Sequence, residues 1–295
     1  MGAAVFGMLS VVGYQNRTEV FAAGSVTESM KNIAEAESGT GNAAETENNT
    51  GNTEERETAV KKTGWQKVKS KTYYYSKKGV KVTGWKKIKG KFKDLKLPST
   101  QKLLQDYFDK KGELQKNKIV GNKKKGYYYV DKSGVRVTTK EIKMAVALVM
   151  KNSSVKQSPQ ERLKSCFWTL CNYYPYQRII GDIPSAGKIP SYAAYMFQNK
   201  RGNCYRYASS MAYIARVLGY ESRVAVGGVS SSTYFSPHGW CEVKMDGKWR
   251  MYDCSIQATW PQKQLYQIER KSYPFRLRID HVYTMKSKNG KISWR

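Results

Sequence analysis

The sequence predicts an α+β fold preceded by a small module of β-hairpins, and three observations carry that prediction. Apolar residues recur at helical spacing in three stretches beyond residue 139. Two strand-like runs in the same region flank Asp246-Gly247, a two-residue turn of the kind that closes a hairpin. Ahead of them, from Thr63, aromatic residues and turn glycines recur with a period of 20.

Charge divides the chain before any element is assigned. The 295 residues hold 52 Lys and Arg against 23 Asp and Glu, a net +29, distributed as −6 on 24–60, +20 on 61–140 and +15 on 141–295. One compact small domain with that charge would repel itself, so at least three regions are expected. An acidic, a membrane-spanning and a collagen-like chain are excluded. The two histidines, His238 and His281, and five cysteines without a Cys-x-x-Cys pair give too few ligands at usable spacing for structural zinc. No metal or other cofactor is expected.

Residues 1–22 read as a signal peptide, with an apolar run over 3–14 and a cleavage site after about Ala22. The run is shorter than the roughly 20 residues a bilayer requires, and no second run approaches that length, so export without a transmembrane span is expected. Residues 23–60 contain eight acidic residues and no aromatic one, and read as a disordered acidic linker unable to bury enough apolar surface to order itself.

Residues 61–138 carry the repeat. Thr63-Gly64-Trp65 recurs as Thr83-Gly84-Trp85, and Tyr73-Tyr74-Tyr75 followed by Ser76-Lys77-Lys78-Gly79 has degraded copies at Tyr107–Gly112 and Tyr128–Gly134. Aromatic strands ending in glycine turns predict hairpins, and units of this size stack because none closes a core alone, giving a short solenoid. A Leu- and Lys-rich insert at 93–105 interrupts the pattern. About 25 basic residues in eighty, interleaved with rings, suit an anionic polymer or a polysaccharide stacked on the aromatics, with Trp65, Tyr74, Trp85 and Tyr128 as the binding faces. The alternative is a basic spacer whose rings only pack the hairpins. Nucleic acid is not expected, since the lysines alternate around periodic turns and no recognition-helix or RNP-type pattern is present.

Residues 139–295 carry the chemistry. Helices are predicted over Lys140–Asn152 and Pro159–Asn172, and a third opens at Cys204 and ends at Gly219. That places Cys204 at a helix N-terminus, where free N–H groups and the helix dipole favour a thiolate. A strand over Ser222–Val226 leads through a polar loop to His238–Met245 and Lys248–Cys254, which form a hairpin. With Asp246-Gly247 as its loop, Met245 faces Lys248, and alternation puts His238, Trp240, Asp253 and Ser255 on one face. Nucleophile, base and orienting acid thus occur in the order Cys204, His238, Asp253. The other cysteines read as buried thiols, and His281 as a surface residue.

Two resemblances join these readings. The repeat resembles the choline- and glucan-binding repeats that hold exported bacterial proteins on the cell wall, which implies aromatic cages for a quaternary ammonium. Only Trp65 and Trp85 recur at the tryptophan position, and the positive charge opposes a cationic ligand. The blocks Arg201–Ala208, Leu218–Val224, His238-Gly239-Trp240 and Lys248–Asp253 resemble the transglutaminase-like superfamily. That resemblance implies a papain-like core with N-terminal helices and an antiparallel sheet, and a Cys204–His238–Asp253 triad. It also implies acyl transfer from a protein or peptide amide through a thioester. Water as acceptor gives a peptidase or amidase, and a lysine amine gives a crosslink; hydrolysis is the expectation here. Cys254-Ser255 departs from the Pro-Thr that usually follows the aspartate. A non-catalytic wall-binding or adhesive protein is the rival reading, and it has no need of the ordered Cys–His–Asp set.

Overall fold

The computed structural model describes residues 62–88 and 105–295. The expected signal peptide, acidic linker and most of the insert at 93–105 lie outside the described residues.

Three antiparallel hairpins come first. They are β1 (Gly64–Val68) with β2 (Lys71–Tyr75), β3 (Gly84–Lys87) with β4 (Gln105–Phe108), and β5 (Lys118–Asn122) with β6 (Gly126–Val130). The same turn closes off β2, β4 and β6: the N–H groups of Gly79, Gly112 and Gly134 donate to the carbonyls of Ser76, Asp109 and Asp131. All three glycines have φ between 76° and 80°, a conformation that side chains disfavour, which explains their recurrence. Strands of successive hairpins also touch. Leu114 N–H donates to Thr72 and Arg136 N–H to Gln105, each at 2.8 Å. The third hairpin is continuous with the helical region after it, because Tyr129 and Val137 belong to the main hydrophobic core.

Four helices succeed the hairpins: α1 (Lys140–Asn152), α2 (Pro159–Tyr173), α3 (Ile189–Asn199) and α4 (Cys204–Val217). Ser158 begins α2 with a capping box to Glu161 and Pro159 in the first turn. Every residue of α4 is buried, so it is the central helix rather than a surface one. Its serines are satisfied locally: Ser209 and Ser210 donate back to the carbonyls of Tyr205 and Arg206.

The sheet comprises β7 (Glu221–Ser230), β8 (Ser236–Met245), β9 (Lys248–Tyr252), β10 (Arg276–Lys288) and β11 (Lys291–Trp294), all antiparallel, in the order β11-β10-β7-β8-β9. Alternation along the strands feeds two cores. Val224, Val226, Cys241 and Val243 pack with the helices, while Ala225, Trp240 and Met251 pack with Leu265 and Tyr273 from the segment after a short helix, α5 (Cys254–Thr259).

The fold departs from the sequence reading in three places. The polar loop after Val226 is mostly strand, β7 running to Ser230 and β8 starting at Ser236. The strand expected to reach Cys254 stops at Tyr252, and Asp253 becomes the N-cap of α5. Helix α3 and strands β10 and β11 are additions.

Candidate active site

Cys204 is the first residue of α4. Asn203 caps the helix by accepting the Arg206 N–H, and the Arg206 guanidinium also donates to the Asn203 side chain at 3.0 Å. Arg206 and Asn203 both hold Asp182, which ties the α2–α3 connection to the start of the nucleophile helix. Glycine lets strand β8 approach: a Cβ on Gly239 would stand 2.7 Å from the Tyr205 ring, next to Cys204.

His238 lies near the start of β8, its ring stacked on that of Trp240 at 6.0 Å between centroids. Its Nε2 is 2.7 Å from Asp253 Oδ2, and the Cys204 thiol is near enough to support the ring's charge. All three groups are nearly sealed from solvent, Cys204 at 5%, His238 at 4% and Asp253 at 1% exposure. The hairpin register computed from Asp246-Gly247 holds from Met245↔Lys248 to Cys241↔Tyr252. Asp253 lies beyond that ladder. It reaches the imidazole from a helix cap instead of as a diagonal strand neighbour, with Oδ1 accepting from the Ile256 N–H at 3.1 Å and from Ser255 Oγ at 2.9 Å.

Electrostatics makes the pair an ion pair. Burial alone disfavours the imidazolium, but the Asp253 charge and hydrogen bond, together with Cys204, outweigh it and raise the His238 pKa to about 10. Burial likewise opposes the Asp253 carboxylate, yet His238, the Tyr273 hydroxyl and the Ile256 N–H hold its pKa below the ordinary value.

Two residues here had no sequence signal. Tyr273 donates to Asp253 Oδ2 at 2.5 Å from the segment ahead of β10. Its N–H donates to the Arg270 carbonyl at 3.1 Å, and the Arg270 side chain is anchored to buried Glu242, itself bonded to Arg223 and to the Trp240 indole. Tyr176 lies at the site mouth, half exposed, its phenol against the Cys204 backbone N–H. Gln177 N–H donates to Gly202 at 2.9 Å and fixes that segment beside the nucleophile. Burial, with the nearby Cys204, raises the Tyr176 pKa to about 12 although Arg178 opposes it, so the phenol keeps its proton.

The other cysteines are free and buried. Burial pushes Cys166 up to about 12 and Cys241 and Cys254 well above the ordinary thiol value. Tyr192 belongs to the core and Trp168 packs against that core, while His281 is an exposed residue of β10. Among the described residues no cluster of His, Cys, Asp or Glu is arranged to hold a metal ion.

The repeat aromatics pair across strands and between hairpins. Trp65 contacts Tyr74 at 5.1 Å between centroids and Phe108 at 5.9 Å, and packs with Ile88 and Leu114. Trp85 meets Tyr128 at 5.6 Å, but this place already holds a cation: the Arg136 guanidinium sits 3.5 Å from the Tyr128 centroid and 5.4 Å from that of Trp85.

Residues 147–254, just over a third of the chain, match the family model of the Transglutaminase-like superfamily, and Cys204, His238 and Asp253 all fall within that range. Among solved structures, the chain is similar to the choline binding domain of Spr1274 in Streptococcus pneumoniae, with 23% identity over 27% of this chain and 98% of that one, TM-score 0.21. It is also similar to a TGase, with 18% identity over 40% of this chain and 33% of that one, TM-score 0.32. A third is the periplasmic domain of TgpA from Pseudomonas aeruginosa, with 15% identity over 43% of this chain and 45% of that one, TM-score 0.32. The chain thus spans a third of the TGase and under half of the TgpA domain. No curated protein matches it.

Proposed function

We propose that residues 139–295 form a cysteine acyl-transfer enzyme of the transglutaminase-like kind, with Cys204, His238 and Asp253 as its triad and a protein or peptide amide as donor. The observation that carries this reading is the buried Asp253–His238 ion pair set against a thiol at a helix N-terminus. Cys204 gives its proton to His238 and attacks the amide carbonyl as a thiolate; as the C–N bond breaks, His238 passes that proton to the departing amine, leaving a thioester. Asp253 accepts from Nε2, which orients the ring and steadies its charge while Nδ1 serves the thiol.

One donor for the oxyanion is the Cys204 N–H; the Tyr176 phenol lies close to that N–H and has to turn aside as the oxygen develops. Hydrolysis is the outcome we favour over transfer to an amine, with half-exposed Tyr176 marking the side from which water would enter the nearly sealed site. His238 takes the proton of the attacking water and returns it to the leaving thiolate.

The hairpins ahead of this unit serve, on the same proposal, to hold an exported enzyme on an anionic cell-wall polymer. Their charge and the Arg136 guanidinium on the Trp85–Tyr128 place support an anionic ligand over a quaternary ammonium. The test is ammonia and amine release from peptide amides and wall peptides, run with and without a fluorescent primary amine. Release dependent on Cys204, without amine incorporation, is expected. Incorporation at a comparable rate would make the enzyme a crosslinker, and neither activity would favour the adhesive reading.

A further inference from the structure

A second concave site lies at the opposite end of α4. A cavity of about 580 Å³ opens between the turn after β6 and the β10–β11 hairpin, a size in the range that takes small ligands. Six basic side chains line it among the described residues, Lys132, Arg216, Lys286, Lys288, Lys291 and Arg295, against one carboxylate, Glu221. Glu221 is shared, bonded to Lys132 at 2.7 Å and within electrostatic reach of Lys244 and Arg216, so one carboxylate faces several cations.

A protein this basic has many lysine-rich surfaces, so rim charge alone decides nothing. The cavity is distinguished by its wall. Arg216 is 2% exposed, and among the described residues its side chain bonds at hydrogen-bonding length to the Met285 carbonyl, at 2.9 Å from one terminal nitrogen. Among the described residues its Nε has no acceptor and Ser287 Oγ beside it has no partner at that length, although the Tyr129 phenol lies close to both. A buried guanidinium normally meets a carboxylate or a full set of acceptors. Here a planar fork, a hydroxyl and a ring of flexible ammonium groups converge from several directions, which suits a tetrahedral oxyanion better than a flat carboxylate.

We propose that this cavity binds a phosphate group, either free or within a phosphodiester chain. The site is distinct from the proposed active site: Arg216 lies twelve residues along α4 from Cys204, about 18 Å at helical rise. It also differs from the repeat aromatics, since among the described residues no ring contributes to the lining.

The test is calorimetric titration of the full chain with inorganic phosphate, with poly(glycerol phosphate) at equal phosphate concentration, and with succinate. Saturable phosphate binding is expected. Lys286→Ala with Lys291→Ala, both exposed and outside the core, should weaken it about tenfold or more, the size of one lost charge-assisted contact. Lys77→Ala with Lys78→Ala on the first hairpin turn should leave it unchanged. Arg216→Gln, if it folds, should abolish it. Cys204→Ala should bind as wild type, so the result stands or falls apart from the catalytic reading. Tighter binding of the polymer than of phosphate at equal phosphate would identify a chain ligand, and equal binding the free ion. No saturable binding, equal weakening by both lysine pairs, or equal competition by succinate would each overturn the proposal.

Discussion

Replacing Asp253 by Asn removes one charge and leaves the volume nearly unchanged, and the structure gives the size of the effect. Asp253 Oδ2 takes the His238 Nε2 at 2.7 Å and the Tyr273 hydroxyl at 2.5 Å, while Oδ1 takes Ser255 and the Ile256 N–H. An opposite charge this close supports the imidazolium by about 1–3 pH units. Without it, burial and the missing carboxylate act in the same direction, so the His238 pKa should fall from about 10 by at least that much. An amide nitrogen turned toward Nε2 would also drive the neutral-ring proton to Nδ1, the atom that must serve the thiol. A ring locked in the wrong tautomer costs on the order of 10⁴-fold in turnover. The assay is direct because the chain has only two histidines. An NMR titration of the imidazole Cε1–H resonances tracks His238 against exposed His281, alongside the rate of acyl release. A His238 midpoint that Asp253→Asn leaves in place, or turnover within about threefold of wild type, would refute the reasoning, since a triad carboxylate is worth far more than that.

Gly239→Ala should slow Cys204 acylation strongly with the fold retained by circular dichroism, because its Cβ would press on the Tyr205 ring and move β8 away from α4. Stability should depend on pH through the same pair. The raised His238 pKa makes its contribution complete below about 6.5 and lost as pH climbs through about 10, while the depressed Asp253 makes its own contribution vanish in acid. Urea unfolding should therefore show an alkaline decline that His238→Gln removes. Arg136→Ala should cost about 0.5–2 kcal/mol in the same assay, as a cation–π contact of this kind does. Binding to whole cell walls should be reversed by salt and untouched by millimolar choline; elution by choline at constant ionic strength would contradict the anionic-polymer reading.

How much was legible in the sequence depends on which signals are local. Helix α1 matches its expected bounds and α2 runs one residue further, because apolar spacing is a local signal. Asp246-Gly247 set the β8–β9 register for the same reason. Past Tyr252 the local rule gave out. Asp253 has its own capping partner in the Ile256 N–H, and that bond ends the strand and turns the carboxylate toward His238 by another route. Strand β10 was hidden by a bulge between Ile279 and His281 that breaks its alternation. Gly227 accommodates the bulge, since any Cβ there would meet the Arg278 carbonyl at 1.9 Å. Tyr273 and Tyr176 were illegible for a different reason. Each contacts the site from a segment distant in sequence, and neither carries a motif.

The central claim is that Cys204 forms an acyl thioester with help from His238. The most direct measurement is mass-spectrometric peptide mapping of the full chain after brief exposure to an amide-directed acylating probe at neutral pH. The expected result is a hydroxylamine-labile acyl group on Cys204 alone, absent in Cys204→Ala and strongly slowed in His238→Ala. Cys166, Cys241 and Cys254 should stay unmodified because burial keeps those thiols protonated. Equal labelling of any of those three, or a Cys204 rate indifferent to His238, would contradict the claim.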